Sequence, residues 1–543
     1  MRRHRENVLR AAAAGGQAIA VVALLAGGLL VPAGAAHAED ALPVGCTKTK
    51  DLGGGGVEIE CEQGIPEGAV LQGTDGNDRF VIGDRPASGE EDDDEPIRAD
   101  HVVMGSVDGG GGDDVILISG ASDDAAAVNG SVRGGAGNDT IRVSGYGPKS
   151  AVTSQGTVDG GEGNDTIIAT IGSTTTAAPS LAANGGTITG GAGDDTITAE
   201  GNGKGGGNTG KILGGAGNDT ITATDSGNGP GNSGTLDGED GTDTVNATGG
   251  TYGGVGNAGT VNGTGDAITA SGGKYGGVGN TGTINATDST ITVSGTRGSA
   301  ANAGRVEATR GTVKVVGGAY SGETGAKGGT GNAAEGTVTG PTSVEIIGGT
   351  GGGVGNAGKV LDVTEATISG GQAGVIGRNG IGGEDYGTAG TANTGEVTTT
   401  GRLTITGGDG VNGGNGRFNN SNSSGSVHGG SGGNGGNGGV GNAGIARSEN
   451  GPLTVTGGRG GSGGNGGNSS HGSGGSGSAS TGGSGGRGGN GGAARTTGST
   501  AEVTSAPGNL TIKGGALGAG GAAGTAEKNG DEGKPGTAGP DTL

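Results

Sequence analysis

Short runs in which apolar and polar residues alternate recur along the chain in pairs, each pair joined by a glycine-rich elbow. In Ser131–Val143 the run Ser-Val-Arg leads into Gly-Gly-Ala-Gly-Asn-Asp and then into Thr-Ile-Arg-Val. The unit returns from Lys211, Thr235 and Thr260, at intervals of about 24 residues, with a Gly-rich return loop between copies. Earlier first runs are expected near Val70, Val102, Val132, Val158 and Ile188. Later units start at Arg305, Thr337, Lys359, Glu396 and Gly444, and the last second run is Leu510–Lys513. Period-two alternation puts Ile141, Ile167, Ile197, Ile221, Val245, Ile268 and Ile291 on one inward face, with the flanking threonines outward. β-Branched residues favour strands, and the glycine density between them breaks helices.

A unit this thin cannot bury its own apolar positions, so successive units must stack, which predicts an all-β parallel β-helix or β-solenoid of roughly fifteen coils. A residue before each first run is usually an amide: Asn129, Gln155, Asn184, Asn208, Asn232, Asn257, Asn280, Asn302, Asn332, Asn356, Asn393 and Asn442. Stacked amides bond from coil to coil, so these predict a structural amide ladder. The return loops lengthen towards the C-terminus. Segments 409–440 and 459–496 are mostly Gly, Asn and Ser, a composition whose default expectation is disorder; an ordered array of extended glycine strands is the alternative.

Composition agrees with a thin, repetitive core. Of 543 residues 148 are glycine, aromatics make up 1%, and Trp is absent. The net charge of −23 argues against nucleic acid as a partner, because phosphate binding needs a basic footprint. Six consecutive acids at Glu90–Glu95 read as a solvated loop.

The N-terminus reads as a signal peptide over residues 1–38. Arg2, Arg3 and Arg5 precede the apolar stretch Ala18–Val31, and Ala36-His37-Ala38 is a small-x-small cleavage site. The mature chain is therefore expected to be secreted and extracellular, and no later stretch is long and apolar enough to span a bilayer. In an oxidising compartment Cys46 and Cys61, the only cysteines, are expected to form a disulfide within an N-terminal cap, residues 39–68. The remaining divisions are coils with acidic elbows at 69–247, coils without them at 248–515, and a flexible tail at 516–543.

Seven elbows carry a carboxylate in nearly one register, at Asp78, Asp114, Asp139, Asp165, Asp195, Asp219 and Asp243. In the middle copies the pattern is Gly-Gly-x-Gly-x-Asp-x-apolar. It resembles the hemolysin-type (RTX) calcium-binding repeat over residues 69–247, about a third of the chain. The resemblance implies Ca²⁺ held between successive turns by those aspartates and by backbone carbonyls near Gly135, Gly137, Gly161, Gly163, Gly191, Gly193, Gly215 and Gly217. A hard cation wanting six to eight oxygen ligands suits that donor set, and one Asp per elbow requires two stacked elbows per ion. Two features depart from the family. Elbows recur once per coil rather than every nine residues, and the leader is N-terminal. From Thr260 onward the acidic pattern lapses, so the second half is expected to stand without metal.

These features predict a secreted calcium-binding scaffold with a structural or surface-interaction role, its cell-surface or matrix partner unidentified. It is not expected to be an enzyme. His101, His428 and His471 lie far apart, the carboxylates are absorbed by the elbows, and aromatic platforms for sugars are scarce. A β-helix polysaccharide-active enzyme is the alternative. Ice binding is a third class, suggested by outward Thr pairs such as Thr196/Thr198, Thr220/Thr222 and Thr290/Thr292 but interrupted by Arg142, Ile168 and Lys314.

Overall fold

The structure is a computed structural model that describes residues 42–83, 101–120, 126–146, 150–172, 182–320, 327–378, 384–421, 428–471, 481–496 and 501–523. The expected signal peptide and the acid run Glu90–Glu95 lie outside the described residues. Within them the chain is all-β, and two long sheets organise it. One has fifteen strands, from Val70–Gln72 to Glu502–Ser505, and contains the first strand of each unit. The other has seventeen and contains the second strands, ending at Leu510–Lys513. Successive strands pair in parallel, so the chain winds as a β-solenoid.

The register is the one that alternation predicts. Ile116, Ile141, Ile167, Ile197, Ile221, Val245, Ile268 and Ile291 are successive partners across the second-strand sheet and are all buried. Val107, Val132, Val158, Ile188, Ile212, Leu236 and Val261 form the facing column. The core is thus two apolar ladders, closed at a third side by a column of isolated bridges. Val102 is not in a first strand as expected. Val107 takes that place, and neighbouring Val103 belongs to the third column, bridged to Ile65.

That third column is the amide ladder. From Asn184 through Asn208, Asn232, Asn257, Asn280, Asn302, Asn332, Asn356 and Asn393 to Asn442, each Nδ2 donates to the Oδ1 of the next at 2.7–2.9 Å. All ten side chains are fully buried. Asn129 and Gln155 do not join. Asn129 is half-buried and Gln155 exposed, and Val128 and Val152 occupy the column instead. The reason is spacing: the inward position lies three residues before Ser131, Lys211 or Thr235, and Asn129 lies only two before Ser131.

A hairpin, Cys46–Gly53 against Gly56–Cys61, covers the N-terminal end, and Cys46 and Cys61 are disulfide-bonded as expected. Its second strand also pairs in parallel with Arg79–Gly83, so the cap is continuous with the second-strand sheet.

The long C-terminal loops overturn the expectation of disorder wherever they are described. They form two layers of extended glycine-rich chains. Within one layer Gly410, Gly413 and Gly416 donate to the carbonyls of Arg459, Ser462 and Asn465. Within the other, Gly432, Gly435 and Gly438 donate to Ser484, Arg487 and Asn490. Between layers Gly433 donates to Gly414, Gly464 to Gly433, and Gly486 to Gly464. Every bond set advances by three residues, the repeat of a polyproline-II chain. One glycine in each triplet faces the other layer, where a Cβ on Gly413 would collide with the Gly433 carbonyl. Residues 516–522, expected in a flexible tail, belong to this bundle: Gly518 donates to Gly489 and Gly521 to Gly486.

Candidate metal centre

The elbow glycines have two separate jobs. In the middle elbows the second and third glycines take positive φ, as at Gly135 (φ 122°) and Gly137 (φ 134°), a region that a β-carbon disfavours. The first meets a different constraint. A Cβ on Gly134 would collide with Asp139 Oδ2 of its own elbow and with the Gly160 carbonyl of the next coil.

That close approach buries the aspartates. Asp78, Asp114, Asp139, Asp165, Asp195, Asp219 and Asp243 are 1–2% exposed and stand in one column. The backbone N–H of each donates to Oδ1 of the next coil's aspartate: Asp78 to Asp114, Asp114 to Asp139, Asp139 to Asp165, Asp165 to Asp195, Asp195 to Asp219 and Asp219 to Asp243, at 2.7–2.8 Å. The sequence reading ended the acidic column at Asp243, but it extends one coil further. Asp243 N–H donates to Asp266 Oδ1, and Asp266 N–H to Ser289 Oγ. Asp266 was missed because its elbow, Asn262-Gly-Thr-Gly-Asp, lacks the double glycine; the apolar residue two places on, Ile268, marks the register.

The residue before each aspartate forms a second, outer rail of opposite sense. Asn138 N–H donates to Asp113 Oδ1, Asn164 to Asn138, Asp194 to Asn164 and Asn218 to Asp194, at 2.7–2.9 Å. Asn-Asp is therefore a coil-to-coil connector in its own right, and Oδ1 of each aspartate is fully explained by backbone capping.

Oδ2 is not explained in that way. In Asp114, Asp139, Asp165, Asp195, Asp219 and Asp243 this atom is buried and has no hydrogen-bond partner. At the ends of the column it does have partners: Thr74 N–H and Oγ1 donate to Asp78 Oδ2, and Thr264 N–H donates to Asp266 Oδ2. Six successive coils thus each present one unpartnered carboxylate oxygen to the interior.

Stacking buried carboxylates is electrostatically costly, and their proton affinities reflect it. Burial pushes Asp114 up to about 8, Asp165 to about 7, and Asp139, Asp195, Asp219 and Asp266 to about 6. Asp243 moves in the same direction. The capping N–H groups oppose the shift, and neighbouring carboxylates reinforce it.

The donors fit a hard cation in type: carboxylate oxygens plus carbonyls, with no nitrogen or sulfur. The carbonyls of Gly137, Gly163, Gly193 and Gly217 accept no hydrogen bond from the described residues. Those of Gly135, Gly161, Gly191 and Gly215 lie inside paired strands. No group of three or more His, Cys, Asp or Glu side chains converges to hold a metal among the described residues, so an ion here would take most of its ligands from the backbone. In comparisons with known proteins, no family model, curated protein or solved structure matches this chain.

Proposed function

We propose that this chain is a secreted β-solenoid scaffold whose first half is stabilised by calcium, serving a structural or surface-interaction role. The observation that carries the reading is the run of six buried, unpartnered Oδ2 atoms from Asp114 to Asp243. A buried polar atom with no partner costs free energy, and a buried charge costs more. Turn chemistry alone accounts for Oδ1 and leaves Oδ2 without a purpose. Calcium, when bound, supplies the missing counter-charge. Asp114, Asp139, Asp165, Asp195, Asp219 and Asp243 would hold it through Oδ2, with carbonyls of the third elbow glycines as further ligands. The aspartates stay anchored by their capping bonds, so the donors are pre-positioned before an ion arrives.

Secretion is supported by the charged, then apolar, then small-x-small order of residues 2–38 and by the Cys46–Cys61 disulfide, which suits an oxidising compartment. The deciding experiment is calcium titration of the metal-free mature chain, followed by circular dichroism and calorimetry. Binding with a rise in melting temperature is expected; no change up to ~10 mM would sink the calcium reading, because even weak extracellular sites fill by then.

A further inference from the structure

Two successive return loops carry the same segment, Gly-Gly-x-Tyr-Gly-Gly-Val-Gly-Asn, at Gly249–Asn257 and Gly272–Asn280. In each, a tight turn puts the tyrosine at the loop tip: Gly253 N–H donates to the Gly250 carbonyl, and Gly276 N–H to that of Gly273. The rings stack, with centroids 5.8 Å apart and planes 22° from parallel. Tyr252 is 69% exposed and Tyr275 45%, in a chain with almost no aromatics. The fold does not require either ring, because the loop Gly348–Asn356 has the same length and Gly351 in place of the tyrosine.

Two cations accompany the rings. Arg297, from the next coil, lies 5.1 Å from the Tyr275 ring centre, and Lys274 Nζ lies 5.4 Å from it. Arg297 holds this place with φ of +43°, a conformation that long side chains rarely adopt and that tends to mark functional sites. Among the described residues neither cation joins an ion pair, whereas Arg79, Arg133, Arg305, Arg310, Arg447 and Arg459 each meet a carboxylate. Loop residues 249–257, 272–280 and 295–302 contain no acid. A protein of net charge −23 therefore displays a small cationic, aromatic ridge running from coil to coil.

Tyr252 is the more exposed of the two rings. Tyr275 is covered by Tyr252 and Arg297, while the coil preceding Tyr252 puts Gly227 beside it, without a side chain. We propose that this ridge binds an acidic polysaccharide, with a pyranose ring of a uronic-acid polymer stacked on Tyr252 and its carboxylates paired with Lys274 and Arg297. The C–H face of a pyranose is apolar and slightly positive, which complements the negative face of an aromatic ring. Its hydroxyls remain in water, which suits a ridge better than a pocket. Guanidinium and ammonium groups take the carboxylates, and a linear chain laid along the coil axis reaches both groups at once. Nucleic acid is the poorer match, since its phosphates, about one charge per 1.7 Å of duplex, are repelled by so acidic a protein far more than a polymer with at most one carboxylate per sugar ring. The site uses none of the aspartates of the metal centre, so the two readings stand or fall separately.

Native affinity electrophoresis tests the proposal, with the mature chain in calcium buffer and hyaluronate, dextran or polyglutamate in the gel. Retardation is expected in hyaluronate alone. Tyr252→Ala/Tyr275→Ala should weaken it by about ten-fold or more with an unchanged melting temperature, as for loss of an interface hot spot. If the double variant melts early, Tyr252→Ala alone provides the same comparison. Lys274→Ala/Arg297→Ala should also weaken it and flatten its salt dependence. The proposal is overturned by free migration through hyaluronate, by wild-type retardation of the tyrosine variants, or by equal retardation in polyglutamate or dextran.

Discussion

Each aspartate of the elbow column has one oxygen in service and one without a partner, and this division makes its behaviour with pH unusual. Their ordinary value is 3.8, and burial raises them to about 6–8 in the fold. Between pH 4 and 8 the metal-free folded chain therefore holds protons that the unfolded chain has released. Stability falls wherever the native state binds more protons as pH rises, so the metal-free protein should melt lower at pH 7.5 than at pH 5. Bound calcium competes with those protons, so its stabilising increment should grow over the same interval. Melting curves in chelator and in calcium at both pH values check this. A metal-free melting temperature that rises from pH 5 to 7.5 would contradict the raised proton affinities. On the same grounds Asp139→Ala, Asp165→Ala and Asp195→Ala combined should cost more stability with calcium than without. Some loss must remain in chelator, because each substitution also strands a backbone N–H.

At the scale of elements, the amide column offers the sharpest contrast. Asn280→Ala removes a donor and an acceptor from a fully buried chain, stranding groups on Asn257 and Asn302, and should cost about 2–4 kcal/mol. Asn129→Ala, outside the column, should change stability by less than ~0.5 kcal/mol. Hydrogen exchange resolved to single coils measures both. A parallel pair exists in the glycine layers. A Cβ on Gly464 meets the Gly414 carbonyl, whereas Ser462 already carries a side chain at a half-buried position; Gly464→Ala should expose segments 407–418 and 481–494 to protease, and Ser462→Ala should not. These elements also show what sequence could and could not reveal. The inward isoleucines were legible because period two and a constant offset from Asp define a strand face. The amide column was legible for ten of its members, and spacing rather than residue type excluded Asn129 and Gln155. The glycine layers were legible only as the alternative to disorder, because their order comes from backbone bonds every third residue, which composition cannot register. The partnerless state of Oδ2 was hidden as well, since it depends on how closely Gly134 and Gly160 let adjacent coils approach.

Over the whole molecule, stability is a sum of coil-on-coil interfaces rather than of one core. Calcium should therefore act locally. Its addition should raise hydrogen-exchange protection across residues 106–248 and leave 337–456 unchanged. Uniform protection along the solenoid would mean that the coils are coupled more tightly than nearest-neighbour stacking allows. The arrangement also separates tasks along the axis, with acidic elbows towards the N-terminus, an aromatic ridge on the coils of Tyr252 and Tyr275, and glycine layers beyond residue 407.

The amide column has a direction. From Asn184 to Asn442 every carboxamide gives a hydrogen towards the C-terminus, and from Asn208 onward each receives one from the N-terminal side, so one reversed amide within the column would set oxygen against oxygen and nitrogen against nitrogen at its two contacts. Orientation is thus shared along the column and is also fixed within each rung, where Nδ2 donates to a carbonyl of its own turn, as Asn208 to Gly210 and Asn280 to Gly282. A chain emerging N-terminus first meets its disulfide-locked hairpin before any amide rung exists, and each later coil finds a donor already pointing at it. At the opposite end the rung is just as defined, because Asn442 Nδ2 donates to the Gly444 and Glu502 carbonyls and its Oδ1 accepts from Asn393. The column thus has polarity at both ends, a donor facing one way and an acceptor the other, so register and amide sense are dictated together wherever a coil is added.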